Sequence, residues 1–353
     1  MINIISKSFC CPYTTGPGKV VKNLIKGLDM LKYPYVINKN PSFGDLLWIH
    51  DDASVLDYLQ RSKTDIKAVI GPNIVFGGNN LGLNYNNLVL LQPSDWSKNF
   101  CLKYRFSKSP IEVWPVGIDT DLFSLEKKRK RDLVLIYFKQ RYKDELSLVV
   151  NLLESKNISY KVIIYGRYSQ NDYIDTLKKT KYIIWIGRQE SQGIALQEAL
   201  ASNVPIIVWD VPYLGYWVPS TEKEKKMFSE VEQQFQGATV VPFFDNRCGF
   251  KLLNFEDLSD KVDTMESGYL KFEPVLYIKD NLSLEGQAQE LLNIFKKHNL
   301  TNKSGVSKKK WRNNFLCSYM FRIKKLFKFV NPSLWQRPQG VLELLRTDGK
   351  NSL

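Results

Sequence analysis

The chain has 353 residues, 44% hydrophobic and 24% charged, which allows two domains with sizeable cores and excludes a disordered or fibrous protein. Its formal net charge is +14, but residues 291–342 contain twelve Lys and Arg residues and no Asp or Glu. Most of the excess charge therefore belongs to a C-terminal tail, and it says little about the chemistry of the body.

The cysteine and hydrophobic patterns indicate a soluble, reduced protein. The five cysteines show no CxxC spacing, which predicts a cytoplasmic chain without disulfides or a zinc site. The first residues lack the basic and apolar regions of a signal peptide. No run of eighteen apolar residues is present, so we expect no membrane span.

Short apolar runs alternate with stretches of helical period along the chain. A first series predicts strands at 2–5, 46–49, 68–70, 88–91 and 111–114, and a second at 133–138, 161–165, 182–186, 205–209 and 238–244. Between these strands, apolar residues recur at spacings of three and four residues, as at 20–28 and 146–153. This alternation is typical of α/β proteins whose parallel sheets are covered on both faces.

Two strand–helix series predict two similar domains. A segment with Pro and Gly followed by a basic run, at 115–132, marks the boundary between them. We therefore expect a first domain at 1–122, a second at 123–298 and a basic tail at 299–353.

The segment after the strand at 182–186 carries the main candidate site. The strand ends near Gly187, Glu190 lies in the following loop, and a helix is expected from an N-cap at Ser191 to about Ala201. The N–H groups and partial positive charge at a helix N-terminus suit a phosphate, and Gly193 would let that phosphate approach the backbone.

Glu198 lies on the same predicted helical face as Ser191. Its carboxylate can accept two hydrogen bonds from a vicinal diol such as a ribose. Glu190 would hold hydroxyls of another group on the far side of the phosphates. The spacing of the two glutamates alone is equally typical of ordinary helix capping.

In context, the segment from Glu190 to Pro205, ESQGIALQEALASNVP, resembles the retaining GT-B glycosyltransferases, in particular glycosyltransferase family 4. That family places Glu-x7-Glu across a strand–helix turn, followed by Glu-Ala-Leu-Ala and a strand that begins with Pro. Three more segments are similar to family segments: TGPGKVVKNLIKGL at 15–28, QPSDWSKNF at 92–100 and PVGIDTDLF at 115–123. The resemblance covers residues 1–298.

The resemblance implies two Rossmann-like domains with parallel sheets that face each other across a cleft. It also implies transfer of a sugar, with retention, from a nucleotide-diphosphate-sugar to an acceptor hydroxyl of a glycan or of a lipid-linked or protein-linked acceptor. Glu190 would contact hydroxyls of the donor sugar, and Glu198 the ribose. The amides of Gly193 and Ile194 would bind the diphosphate, with Ser191 and Gln192 also in the donor site.

The resemblance further implies cations after the first strand of the second domain, where the family commonly has Arg-x4-Lys. Here the segment reads IYFKQRYKDE, without that spacing. We expect Lys139 and Arg141 to neutralise the leaving diphosphate, and Lys143 to be solvated. A solvated basic turn is the alternative. Tyr165 and Gly166, after the next strand, would flank the nucleotide base.

The first domain offers fewer candidates. His50 follows the strand at 46–49, where family members often carry a histidine, and it would contact donor or acceptor unless it is a core or capping residue. Gly16 and Gly18, in the first β–α loop, would admit an acceptor or a phosphate to the backbone, or form a tight turn. Asn73 would line the cleft.

Two acidic motifs are predicted not to bind metal. Asp119 and Asp121 match the Asp-x-Asp of another glycosyltransferase fold, but they lie at the domain junction, where capping is expected. His50, Asp51 and Asp52 lack a third ligand group nearby. GT-B enzymes commonly need no bound metal, so the resemblance also implies no metal and no cofactor beyond the donor substrate.

Residues 308–330 of the tail form a basic, aromatic segment that separates into an apolar and a charged face when wound as a helix. Such a helix suits the surface of an anionic membrane, which would make the protein cytoplasmic and peripheral. Packing against the first domain is the alternative. Nucleic acid is not expected as a partner, because no binding motif accompanies the charge.

Two other functions stay open at this point. A nucleotide-sugar epimerase or phosphorylase can share the same fold. A non-catalytic GT-B module that binds glycans or serves as a scaffold would explain the irregular Lys and Arg spacing. The intact pair of glutamates favours the glycosyltransferase.

Overall fold

The computed structural model describes residues 1–10, 15–52, 55, 66–72, 87–105, 109–124 and 131–303. The predictions for Asn73 and for the amphipathic helix at 308–330 lie outside these residues. No helix in the described ranges is both long and apolar enough to cross a bilayer.

The first half of the chain forms a parallel sheet. Its strands are β1 (Ile2–Ile5), β2 (Tyr35–Ile37), β3 (Leu46–Ile49), β4 (Ala68–Ile70), β5 (Leu88–Gln92) and β6 (Ile111–Val113). The strand order is β2-β1-β3-β4-β5-β6. The helices described here are α1 (Gly16–Met30) and α2 (Asp95–Tyr104). The hydrophobic pattern missed β2, because this edge strand has three residues and all are only partly buried.

The second half forms another parallel sheet. Its strands are β7 (Leu133–Lys139), β8 (Tyr160–Ile164), β9 (Thr180–Gly187), β10 (Ile206–Trp209) and β11 (Gly249–Leu252), in the order β11-β10-β9-β7-β8. The helices are α3 (Lys143–Ser155), α4 (Gln170–Leu177), α5 (Ile194–Ala201), α6 (Glu222–Lys225), α7 (Glu230–Gln233), α8 (Leu258–Gly268), α9 (Pro274–Asn281) and α10 (Leu284–Lys297). The two sheets confirm the predicted α/β class.

The strand predicted at 238–244 is wrong, since the last strand of this sheet is β11. The segment at 238–244 is a loop whose polar groups bind Asp210. The Thr239 hydroxyl donates to Asp210 Oδ2 at 2.7 Å, and the Val240 N–H donates to Asp210 Oδ1 at 2.6 Å. Val240 and Val241 are buried in the core, so their apolar character reflects packing and not pairing in a sheet.

Burial on both faces explains why central strands such as β9 are largely apolar. In β9 every residue except Lys181 is buried, and the side chains divide between two core clusters on opposite faces of the sheet. A parallel strand covered on both faces needs apolar residues at every position. The second sheet is therefore a rigid base for the loops that leave its carboxyl edge.

After the second sheet, the chain returns to the first sheet through helix α10. Helix α10 packs on α1, where a Cβ at Gly27 would meet the Leu284 carbonyl oxygen at 2.3 Å. Leu291 and Phe295 of α10 belong to the same core cluster as Ile2 of β1. Glycine at 27 permits this close approach, and the resulting contact ties the two halves together.

Candidate functional site

The turn after β9 forms the centre of the candidate site. Helix α5 begins at Ile194 and is capped by Gly193, whose φ of 81° is left-handed. The predicted N-cap at Ser191 is therefore wrong: Ser191 is exposed and precedes the cap by two residues. Glycine adopts this backbone conformation without the steric cost that a side chain brings. The first amides of α5 have no acceptor within the helix and are directed out of its N-terminus.

Ile194 lies between the two halves of the protein. It is partly buried and packs against the core of the second sheet and the core of the first. The N-terminus of α5, where the sequence places a diphosphate, is consequently at the junction of the two domains.

Three neighbouring strands of the second sheet bring Glu190, Lys139 and Tyr165 together. Lys139 is the last residue of β7, and its ammonium forms an ion pair with the Glu190 carboxylate. The same ammonium lies 4.1 Å from the centroid of the Tyr165 ring, which follows β8 and is 50% exposed. Gly166, with φ 79°, turns the chain after this ring. Tyr165 lies on the Glu190 side of the turn, and its contact with a base stays a prediction.

The loop that carries Glu190 is held from both domains. The Glu190 N–H donates to the Thr239 carbonyl oxygen at 3.0 Å within the second domain. Trp96 of α2, in the first domain, donates its indole N–H to the Glu190 carbonyl oxygen at 2.9 Å. This segment therefore faces the first domain. The sequence pattern that includes Trp96 resembled the family, but it did not indicate this contact.

Glu198 is paired with a lysine of the first domain. Lys19 Nζ lies 2.5 Å from Oε1 and 2.7 Å from Oε2 of Glu198, and both side chains are buried. Burial raises the pKa of Glu198, while the charge of Lys19 and its hydrogen bonds to the carboxylate oppose that rise. Lys19 was not predicted as a site residue, although it lies in the glycine-containing segment GPGK at 16–19.

The two glutamates lie near the same aromatic group. Tyr137 stacks on Trp185 with ring centroids 3.8 Å apart, and its hydroxyl is 2.9 Å from that of Tyr168. Burial raises the pKa of Tyr168 to about 12; its hydrogen bond with Tyr137 opposes the rise, and the charges of Glu198 and Glu190 add to it. Both carboxylates therefore contribute to the raised pKa of Tyr168, although they leave the chain on opposite sides of Gly193.

Gln192 fastens the turn to the domain junction. Its Oε1 accepts the Val116 N–H at 3.0 Å, and its Nε2 donates to the Val116 carbonyl oxygen at 2.8 Å and to Gln197 Oε1 at 3.0 Å. Gln192 is buried by these contacts. The structure thus places this predicted donor-site residue in a positioning role behind the turn.

Arg141 is also enclosed. Its guanidinium forms an ion pair with Glu145 and donates to the carbonyl oxygens of Gly187 at 3.0 Å and Trp209 at 3.1 Å. Because its side chain is fully buried, Arg141 holds the carboxyl ends of β9 and β10 and does not reach the surface of the turn in this conformation. Lys139 is the predicted cation that does.

His50 supports the first turn of α1. It is fully buried, and its Nε2 lies 3.1 Å from the Pro17 carbonyl oxygen. Burial lowers the pKa of His50, against the charge of Asp51 and its backbone hydrogen bonds, so the neutral ring donates from Nε2 at pH 7. These contacts agree with the core or capping interpretation of His50.

Gly16 and Gly18 lie in the first turn of α1 and not in the preceding loop. Gly16 is exposed and begins the helix, and the Gly18 N–H donates to Thr15 Oγ1, the N-cap, at 3.2 Å. This turn carries Lys19 toward Glu198. The structure therefore brings the glycine segment to the same side of the junction as α5.

Comparison with known proteins gives no match to a protein-family model or to a curated protein. Solved structures do match. Sucrose-phosphate synthase from Thermosynechococcus elongatus has a TM-score of 0.54 at 8% identity over 84% of this chain and 98% of that one. The apo form of the lipopolysaccharide outer core galactosyltransferase WaaB has a TM-score of 0.51 at 12% identity over 84% and 99%. This chain has the GT-B fold. The predicted architecture is confirmed.

The GT-B architecture places the candidate site at the carboxyl edge of the second sheet, where it meets the first domain. Ligands of open α/β sheets bind at such edges. Glu190, Lys139, Tyr165 and the N-terminus of α5 share this edge. A likeness of fold fixes no chemistry, and the function is argued below from these residues.

The acidic motifs of this GT-B chain bind backbone N–H groups and a lysine of the protein. Asp119 accepts the Leu122 N–H at 3.1 Å and pairs with Lys26. Asp51 accepts the backbone N–H groups of Lys7 and Ser8 at 2.8 and 3.0 Å. Within the described ranges, no group of three His, Cys, Asp or Glu side chains is placed to hold a metal ion.

Proposed function

We propose that this protein is a retaining, metal-independent glycosyltransferase that moves a sugar from a nucleotide-diphosphate-sugar to an acceptor hydroxyl. The observation that most supports this function is that Glu190, which pairs with Lys139, and Glu198, which pairs with Lys19, flank the N-terminus of α5. A carboxylate on each side of a helix N-terminus suits a ligand with hydroxyl groups at both ends and phosphates between them.

The donor would lie across the turn. Glu198 accepts hydrogen bonds from the ribose diol, the amides of Gly193 and Ile194 bind the diphosphate, and Glu190 accepts from hydroxyls of the sugar. The partial positive charge of the helix N-terminus favours the phosphates. Because Glu198 is buried in contact with Lys19, the ribose would share this carboxylate with the Lys19 ammonium.

Lys139 supplies the cation of the reaction. As the bond between the anomeric carbon and the diphosphate oxygen breaks, negative charge develops on the leaving group, and a fixed ammonium nearby stabilises it. The acceptor hydroxyl attacks from the same face, and the leaving phosphate oxygen takes its proton. This route needs positioning and charge stabilisation, without a covalent nucleophile from the protein.

The acceptor is a hydroxyl of a glycan or of a lipid-linked or protein-linked glycan. The basic segment at 308–330, which lies outside the described residues, would bring a cytoplasmic enzyme to an anionic membrane that carries such an acceptor. A co-sedimentation assay with anionic and neutral vesicles tests this attachment on the full chain.

A nucleotide panel tests the function directly. UDP, GDP, ADP and CMP are screened by thermal shift, and the sugar conjugates of the best binder are then tested for transfer. A ligand at a hundredfold excess over its Kd stabilises the protein by about 2.7 kcal/mol. Glu198→Ala should abolish most of this shift, whereas Glu256→Ala, at an exposed position, should not.

Glu198→Gln provides a second variant in case the Ala variant fails to fold, since it keeps an acceptor for Lys19. A wild-type protein that binds none of the nucleotides would contradict the proposed function. A shift of wild-type size in both Glu198 variants would remove this residue from the donor site.

One observation favours a second candidate, a GT-B module that binds nucleotide-sugar or glycan without turnover. Lys139 and Arg141, the predicted cations of the reaction, are both paired with carboxylates of the protein. Stabilisation by a nucleotide-sugar without hydrolysis or transfer to any acceptor of a glycan panel would support this module.

A further inference from the structure

Gln189 is a buried polar side chain without a hydrogen-bond partner. It lies directly before Glu190, in the loop that leaves β9, and is 3% exposed. Neither its Oε1 nor its Nε2 makes a hydrogen bond in the described part of the chain. Burial of an unpaired amide costs free energy, so its presence at this point calls for a partner that binds there.

The preceding residue shows the same feature. Arg188 Nε is buried without a hydrogen bond, while the guanidinium lies over the Trp217 ring at 5.0 Å. The backbone of this segment is fixed, because the Arg188 N–H donates to the Lys139 carbonyl oxygen at 3.0 Å. Two consecutive side chains thus carry unpaired polar atoms on a segment that hydrogen bonds hold in place.

This segment lies at the face between the domains. Glu190 follows it, with its carboxylate paired to Lys139 and its carbonyl oxygen bonded to Trp96 of the first domain. In the proposed reaction Glu190 holds the sugar of the donor. The unpaired atoms of Gln189 therefore precede the sugar-binding carboxylate by one residue.

The charges around the segment are balanced. Lys139 is neutralised by Glu190. Burial would raise the pKa of Glu224, but hydrogen bonds from Ser220 and Gln140, and the charge of Arg188, hold it below its ordinary value. Arg188 therefore has an acidic neighbour as well. What remains unpaired is the amide of Gln189 and one N–H of Arg188, a set of donors and one acceptor that suits hydroxyl groups.

We propose that Gln189 binds hydroxyl groups of the transferred sugar. The amide Nε2 donates a hydrogen bond to a sugar hydroxyl and Oε1 accepts one from a sugar hydroxyl, with Arg188 Nε as an additional donor. The proposal rests on the proposed function, since it names a sugar contact in the same donor site.

Gln189→Leu tests this assignment, because leucine is similar in size and has no polar side-chain atoms. The ligand-free variant should melt at the same temperature as the wild type or higher, since an unpaired amide is removed. Its thermal shift with the free nucleoside diphosphate should be unchanged. The extra shift that the nucleotide-sugar gives over the free nucleotide should be lost, and kcat/KM should fall at least tenfold.

Deoxy analogues of the donor sugar make the test specific. Wild-type protein should lose about tenfold or more in kcat/KM on the analogue that lacks the recognised hydroxyl. Gln189→Leu should no longer distinguish that analogue from the parent sugar. Gln289→Leu, the same change at an exposed position of α10, should behave as the wild type. If Gln189→Leu fails to fold, Gln189→Met replaces it.

The outcomes separate the two proposals. One outcome would overturn the role of Gln189 and leave the proposed glycosyltransferase function intact. In that outcome, the Gln189 variant keeps the extra thermal shift that the nucleotide-sugar gives over the free nucleotide, and it still discriminates against every deoxy analogue. Wild-type protein that binds no nucleotide would overturn both.

Discussion

Lys19 of α1 and Glu198 of α5 form a buried ion pair between the two domains, 179 residues apart in the sequence. The carboxylate that the donor ribose would use therefore also holds the domains in contact. A carboxylate offers about four acceptor positions, so a diol can bind Glu198 while Lys19 keeps part of its contact. Donor binding and the position of α1 are coupled through this one group.

Lys19→Met should lower the free energy of unfolding by about 3–5 kcal/mol, because it leaves the Glu198 carboxylate buried without a counter-charge. Urea unfolding of the ligand-free protein measures the change. Lys225→Met, which removes the exposed pair of Lys225 with Glu222, should change stability by less than about 1 kcal/mol.

The double variant Lys19→Met/Glu198→Leu completes the cycle. Replacement of both members of a buried ion pair by apolar residues is often neutral or stabilising, so most of the loss in the single variant should be recovered. Losses that simply add in the double variant would show that Lys19 and Glu198 do not interact energetically.

Lys139→Met should lower kcat by about 10²–10³-fold if its ammonium stabilises the charge of the leaving diphosphate. The apparent Kd of the free nucleotide should change less, because the helix amides and Glu198 still bind it. Initial rates with saturating donor give kcat. Lys143→Met, the same substitution at an exposed residue four positions on, should keep kcat within about threefold, and an equal loss in both variants would contradict the role of Lys139.

The sequence predicted most strands because burial on both faces leaves a continuous apolar run, as in β9. The prediction of strands failed where the residues of a strand are unevenly buried. In β11 the residue Lys251 is exposed and Phe250 only partly buried, so this strand has no such run. The nearby apolar segment around Val240 supplied a false strand, because its residues pack into the core from a loop.

The candidate site was predictable where it is local. Glu190, Gly193 and Glu198 belong to one loop–helix segment, so the sequence places them near each other. Lys19 and Trp96 reach the same turn from the other domain, and no short pattern encodes such contacts. The N-cap was misplaced because serine is a common cap, whereas the left-handed backbone of Gly193 determines where α5 begins.

His50 should make stability depend on pH. Burial lowers its pKa below the ordinary value of 6.5, so the unfolded chain binds this proton more tightly than the folded protein. Stability therefore falls as the pH drops below about 6.5, by up to about 1.4 kcal/mol per pH unit, until the lowered pKa is reached. Urea unfolding between pH 7.5 and 5 should show this slope, and His50→Gln should reduce it.

His298→Gln is the matched control for the pH series. This second histidine follows α10 and bonds Glu112 at 2.6 Å, whereas His50 bonds the Pro17 carbonyl oxygen. The control should therefore keep the loss of stability in acid. A slope that disappears in His298→Gln and persists in His50→Gln would contradict the assignment.

Gly193→Ala should destabilise the protein by about 1–2 kcal/mol and weaken nucleotide binding, because alanine at a φ of 81° is strained. The loss comes from the backbone, since the nearest atom to an added Cβ, Glu190 Cβ at 3.6 Å, is at ordinary contact distance. Gly16→Ala, where an added Cβ meets nothing within 4 Å, should change stability by less than about 0.5 kcal/mol. The loss of stability in Gly193→Asn should lie between those of Gly193→Ala and Gly16→Ala, because asparagine adopts the left-handed conformation more readily than alanine. Urea unfolding and nucleotide titration of the three variants give the ranking, and a Gly193→Ala variant as stable as Gly16→Ala would show that the cap does not depend on glycine.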